Sequence, residues 1–365
     1  MNILLKILAL LFVFVLDVSA SPLSNFNILA NLETGPGNLT VTEDGRIIMS
    51  MHQFYAPKFT VVEVKKDKSI KPFPNIELTG HTSQATLKLD SVLGIRSDKN
   101  AIVWMLDNGM RSGSTPKVVG WNTKNNRLQQ FISLPAPITS SDSFVNDFAV
   151  DTTRNHIFIS DPAGGANAAL IVINLKTGVL RRVLEGHQSV IPENIDLIID
   201  NKPVQIKDKA GKLFRPHIGV NGITEDLNNE WVYFGPMHGL SLYRVKADDL
   251  ANQKLDARTL AGRVQRYSDK PICDGITIDK ENNIYLGELA ANAIGVITSD
   301  RKYQRLIQSP KLSWVDSLSF GPEGKLYAVV NQLHQSGVLN AGVSESKPPY
   351  YLIEIEPLAA GLPGR

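Results

Sequence analysis

A short phrase recurs along the chain: an Asn, Asp or small residue, then a glycine or small polar residue, then a large apolar one. It stands at Gly37-Asn38-Leu39, Leu93-Gly94-Ile95, Asn146-Asp147-Phe148, Asn221-Gly222-Ile223, Asp274-Gly275-Ile276 and Asp316-Ser317-Leu318. Seven to nine residues past each apolar position comes a β-rich run: Ile47-Ile48-Met49, Ile102-Val103-Trp104, Ile157-Phe158-Ile159, Trp231-Val232-Tyr233, Ile284-Tyr285-Leu286 and Leu326-Tyr327-Ala328. The segments between are turns such as Glu43-Asp44-Gly45 and Glu281-Asn282-Asn283, so the pattern predicts one hairpin repeated six times. A third strand follows in each unit, from Val61-Val62-Glu63-Val64 to Tyr351-Leu352-Ile353-Glu354-Ile355, and several units add a fourth, as at Val179 to Val183.

Six four-stranded antiparallel units predict an all-β, six-bladed β-propeller, an architecture whose radial repetition leaves only short, protected edges. The apolar positions of the phrase lie 56, 53, 75, 53 and 42 residues apart, which suits blade-sized repeats with one insertion. Two stacked sandwiches would explain the strand density but not six copies of one phrase. Little chain remains after Ile355 for an outer strand, so Phe26-Asn27-Ile28-Leu29-Ala30 is expected to close the last blade and lock the ring. The long interval holds Ile195 to Ile206, which reads as an added hairpin turning at Asp200-Asn201-Lys202, between blades three and four.

The remaining features set the compartment and exclude some partners. Lys6 precedes an apolar run, Ile7 to Leu16, and Val18-Ser19-Ala20 ends it in a small-x-small pattern. This predicts a secretory signal peptide over residues 1–20 and a single propeller domain over 21–365 in a secreted or periplasmic protein, with no membrane association after cleavage. With one cysteine, Cys273, no internal disulfide is available and stability must come from packing. The 38 Lys and Arg against 36 Asp and Glu, with no dense basic stretch apparent, argue against a nucleic-acid partner. The oligomeric state is not indicated.

The first position of each phrase is expected at one mouth of the axial channel. Four of the six are Asn or Asp: Asn146, Asn221, Asp274 and Asp316. Such oxygen donors suit Ca²⁺ or another hard divalent cation, although each could equally form an Asx-turn. Ends of second strands add Asp107, Asp161, Met237, His238 and Glu288 to the expected rim. His238 is its one histidine and the expected proton-transfer group. No Gly-x-Ser-x-Gly, His-Glu-x-x-His or phosphate-loop pattern occurs.

Five stretches of the chain resemble the yellow and major royal jelly protein family, which overlaps in fold with the senescence-marker-protein and gluconolactonase propellers. They are Ile102 to Gly109, Phe158-Ile159-Ser160-Asp161 leading to Ala169 to Ile173, Val232 to Met237, Asn292-Ala293-Ile294-Gly295, and Leu326 to Leu333. The resemblance implies a six-bladed, usually secreted propeller, with small-ligand binding or pigment-pathway activity in some members and no single shared reaction. The lactonase-like cousins hold a divalent cation with a Glu in the first blade, Asn in middle blades and Asp in the next. Asn146, Asn221 and Asp274 match that pattern, whereas the first blade offers Gly37-Asn38.

Two functions fit these observations. One is a divalent-cation-dependent, lactonase-type hydrolase in which Asp274 or His238 activates water. The other is a non-catalytic binder of an aromatic or amine ligand that contacts Met237 and Trp314. An interaction scaffold, which would expose an apolar patch on one face, is a third class.

Overall fold

The computed structural model describes residues 25–80 and 87–365; the signal-peptide expectation at 1–20 lies outside them. Six antiparallel four-stranded sheets form the blades of a propeller. Their innermost strands are Pro36–Val41, Val92–Ser97, Phe148–Asp151, Val220–Glu225, Ile276–Ile278 and Val315–Phe320. Blade six takes its outer strand from the N-terminal side: Asn27–Leu32 pairs with Tyr350–Ile355, so one sheet joins both ends of the chain.

The apolar runs are continuous because every sheet is buried on both faces. Six clusters of buried side chains alternate with the six blades. Leu39, Met49 and Val62 of blade one meet Val329 and Leu352 of blade six, while Ile48 and Val61 meet Ile95 and Met105 of blade two. The core is thus a ring of wedges with no single centre.

Asp side chains cap the turn after the inner strand in blades two to five. Asp98 Oδ1 accepts from the amides of Asn100 and Ile102, and Asp279 Oδ1 repeats this with Glu281 and Asn283. Asp151 and Asp226 serve the corresponding turns.

The second position of the repeated phrase fixes how the blades meet at the axis. At Gly94, Gly222 and Gly275 a Cβ would lie 2.7, 2.5 and 2.7 Å from the carbonyl oxygen of Asn146, Asp274 and Asp316 in the following blade, so only glycine fits. In the other three blades that position is polar, and its side chains meet inside. Asn38 Oδ1 accepts from Ser317 Oγ at 2.6 Å and from Arg96 at 3.0 Å, and Arg96 pairs with Asp147 at 2.9 Å.

The insertion after blade three holds two short hairpins. Ile198–Ile199 pairs with Lys202–Pro203 around Asp200 and Asn201, both left-handed (φ 49° and 62°), as a type I′ turn requires. Ile206–Lys207 pairs with Leu213–Phe214. Leu197, Ile199 and Val204 pack with Met237, Trp314, Leu333 and Leu339, so the insertion covers one end of the channel.

Candidate functional site

The floor of the site is built by irregularities in the inner strands. The pairing register shifts between Val92 and Ile95, Val220 and Ile223, and Val315 and Ser317. Such bulges re-aim the side chains they carry, and the shifts bracket the first-position residues Leu93, Asn221 and Asp316. Asn146, Asn221, Asp274 and Asp316 come together around a void of about 10 Å³, which is room for one small ion or water.

Three of the four are linked by hydrogen bonds, and Asp316 is held separately. Asn146 Nδ2 donates to Asn221 Oδ1, and Asn221 Nδ2 donates to Asp274 Oδ1 at 2.7 Å. The Trp314 indole N–H donates to Asp274 Oδ2 at 2.9 Å, and Asn331 donates to Asp316 Oδ2 at 2.6 Å. Burial pushes the Asp274 carboxyl up to about 7, with the Asp147 charge adding to it, against these donors. Burial and then the neighbouring Asp274 raise Asp316 well above the carboxylate range. Two carboxyls buried round one void disfavour each other's charge, so protonation of one is favoured.

Above this floor opens a cavity of about 520 Å³, within the range for small-ligand sites. Phe54, Ile218, Met237, Trp314, Leu333 and Leu339 give it apolar walls. Its two histidines differ. His52 is buried, accepts from the Phe54 amide through Nδ1, and is pushed down to about 3 by desolvation. His217 is half-buried and its Nε2 lies 3.1 Å from Asp196 Oδ1. Arg215 also lines the cavity, half-exposed and paired with the same Asp196.

Met237 and Trp314 therefore line the cavity, but four expected rim residues do not. Asp107 is fully buried; it accepts from the amides of Asp90, Ser91 and Gly109 and pairs with Lys117 at 2.7 Å. Asp161 binds the Phe144 amide, the Ser143 hydroxyl and Arg182. Glu288 is held by Tyr303 and Arg305. A carboxylate at a strand end is nearest to the loop's own amides, and in each case the turn or a neighbouring cation takes it. His238 is the fourth correction. It lies beneath His217, with ring centres 5.9 Å apart; its Nδ1 accepts from the Ile218 amide and burial pushes it down to about 4. It stays neutral, outside the cavity. Phe54, His217 and Leu333 come from loops with no repeated signal, whereas His52 follows the second strand of blade one, where Met237 follows that of blade four.

The floor fits a hard cation in its chemistry: oxygen-bearing side chains from four successive blades surround one small void. It fits only on that side. Blades one and two offer Gly37 and Leu93, and among the described residues no three His, Cys, Asp or Glu side chains are grouped to hold a metal.

A family model described as major royal jelly protein matches residues 90–358, nearly three quarters of the chain. The chain belongs to the major royal jelly protein family. Its match begins just before the inner strand of blade two and ends beyond Ile355, so it takes in the insertion and every floor residue. No curated protein matches this family member significantly. Solved structures of similar fold include a calcium-binding regucalcin from Agrobacterium tumefaciens, at 13% identity and TM-score 0.56, covering 94% of this chain and 98% of that one. A luciferin-regenerating enzyme matches at 11% and 0.56 over 93% and 98%. A gluconolactonase from Xanthomonas campestris matches at 11% and 0.55 over 93% of each chain. At these identities the likeness is one of fold.

Proposed function

We propose that this member of the major royal jelly protein family binds a small organic molecule in the axial cavity, its apolar body against Phe54, Met237 and Leu333 and a cationic nitrogen on the Asp274–Asp316 pair. The observation that carries the reading is an uncompensated pair of buried carboxyls under apolar walls. Among the described residues neither has a basic partner; their donors are the neutral groups of Asn221, Trp314 and Asn331. An ammonium group would supply the missing charge, and aromatic amines combine that charge with a body the walls can desolvate. In this reading the protein acts outside the cytoplasm, supported by the N-terminal apolar run and its small-x-small end.

Calorimetry with aromatic amines and their neutral isosteres tests this. Amine binding should weaken as pH falls below about 7, where the pair takes up protons. Neutral isosteres binding equally well would overturn the reading.

A second reading, cation-dependent hydrolysis of a cyclic ester, is favoured by the four oxygen-bearing groups around one void. Ca²⁺ there would be held by Asn146, Asn221, Asp274 and Asp316 and would supply Lewis-acid polarisation of an ester carbonyl. The chain's own part would be to orient the ester against the apolar walls. A calcium-dependent rise in melting temperature together with lactone turnover would favour it over the amine reading.

A further inference from the structure

The whole chain is nearly neutral, yet its charge is not evenly spread. Between Lys202 and Arg215 stand five basic side chains and one carboxylate, Asp208. Lys202 pairs with Glu345 and Arg215 with Asp196. Among the described residues Lys207, Lys209 and Lys212 form no salt bridge, and the one carboxylate of the hairpin, Asp208, caps the tight turn by accepting from the Ala210 and Lys212 amides. Every side chain from Lys207 to Arg215 is exposed.

Apolar side chains are exposed on the same hairpin: Leu213 at 46% and Phe214 at 44%. The adjoining loop of blade six adds Val338 and Val343, also exposed. Backbone bonds from Gln205 N to Leu339 O and from Ala341 N to Gln205 O fix the loop beside the insertion. Phe214 and Val338 also line the cavity, so exposed apolar side chains of both segments stand at its rim.

Three uncompensated lysines around exposed Leu and Phe match one partner, an anionic phospholipid surface. The lysines, on the turn and beside it, would meet headgroup phosphates while their stems and the exposed Leu213 and Phe214 of the strand after the turn enter the interface. A soluble polyanion would use the lysines and leave Leu213 and Phe214 in water. We propose that the Ile206–Phe214 hairpin docks the cavity mouth onto anionic phospholipid bilayers. The inference is independent of what the cavity holds.

The test is flotation of the full chain with phosphatidylcholine vesicles, with and without phosphatidylserine. Binding should require phosphatidylserine and weaken with salt. Replacing Lys207, Lys209 and Lys212 by Gln together should lower it on the order of 100-fold, at about fivefold for each lysine near the surface. Leu213→Ser with Phe214→Ser should lower it on the order of tenfold by withdrawing apolar area from the interface. All five positions are exposed, so an unchanged melting temperature certifies the fold of each variant. Phe214→Trp should add a blue-shifted emission only with anionic vesicles. Equal binding to neutral vesicles, binding to heparin without binding to vesicles, or indifference to the Leu213–Phe214 change would each overturn the proposal.

Discussion

Replacing Asp274 by Asn removes one of two buried carboxyls while keeping the volume and an acceptor for the Trp314 indole. The folded carboxyl titrates near 7 and an unfolded one near 4. Between those values the folded state holds the extra proton, so this group makes stability fall as pH rises, by up to about 1.4 kcal/mol per pH unit. Glu225, raised by burial to about 8, contributes a slope of the same sign but is common to both proteins. The difference between wild type and Asp274→Asn therefore isolates the floor. Thermal or urea unfolding from pH 5 to 8 should show the variant with the shallower slope and, at pH 8, stability equal to or above wild type. One cost opposes this: Asn221 must turn its amide to face the new side chain, giving up about 1 kcal/mol if Asn146 does not follow. The same change should weaken binding of an aromatic amine at least tenfold, since hydrogen bonds to charged groups contribute roughly 1.5–3 kcal/mol. Parallel slopes in the two proteins would refute the carboxyl-pair argument, whatever the ligand data show.

Other expectations follow from the same contacts. Asp107→Asn should destabilise by about 3–5 kcal/mol in urea, because Lys117 is left buried without its partner; amine affinity should be unchanged, and a selective loss of affinity would restore Asp107 to the site. Leu32→Ala, in the strand that closes blade six, should cost about 2–5 kcal/mol by the same measurement, and a negligible effect would show that the closing strand contributes little. Arg365 donates to Glu225 and Asn229, so Arg365→Gln should raise the Glu225 carboxyl further and steepen the loss of stability with rising pH, seen as a larger melting-temperature gap at pH 8 than at pH 5.

How much of this is legible in the sequence depends on whether a residue repeats. Asn146, Asn221, Asp274 and Asp316 stand out because the same phrase recurs at the same place in each hairpin, and the structure puts them round one void. The closing strand is legible because Phe26 to Ala30 is a β-rich run that stands ahead of the first repeated phrase and belongs to no other hairpin. Asp107, Asp161 and Glu288 mislead, since sequence places a carboxylate at a strand end but does not say which backbone amides or neighbouring-strand side chains meet it. Phe54 and His217 sit in loops whose course is set by packing between distant segments, and no local pattern announces it; His52 is open to the same strand-end reading that finds Met237. Whole-chain charge balance conceals the lysines of one hairpin for a related reason: an average over 365 residues erases a cluster in fourteen.

The unequal order of glycine and polar residues at the axis makes the blades individually addressed. Their second positions run Asn38, Gly94, Asp147, Gly222, Gly275, Ser317 around the ring, and the side-chain partners of the Arg96 guanidinium stand in the blades to either side of it. If blades three and four exchanged places in the gene, each would still be a sound four-stranded sheet. Arg96 would then face a glycine and lose its carboxylate, leaving a buried cation unpaired. The hub thus works as a set of keyed teeth, and circular order, not blade quality alone, decides whether the ring assembles.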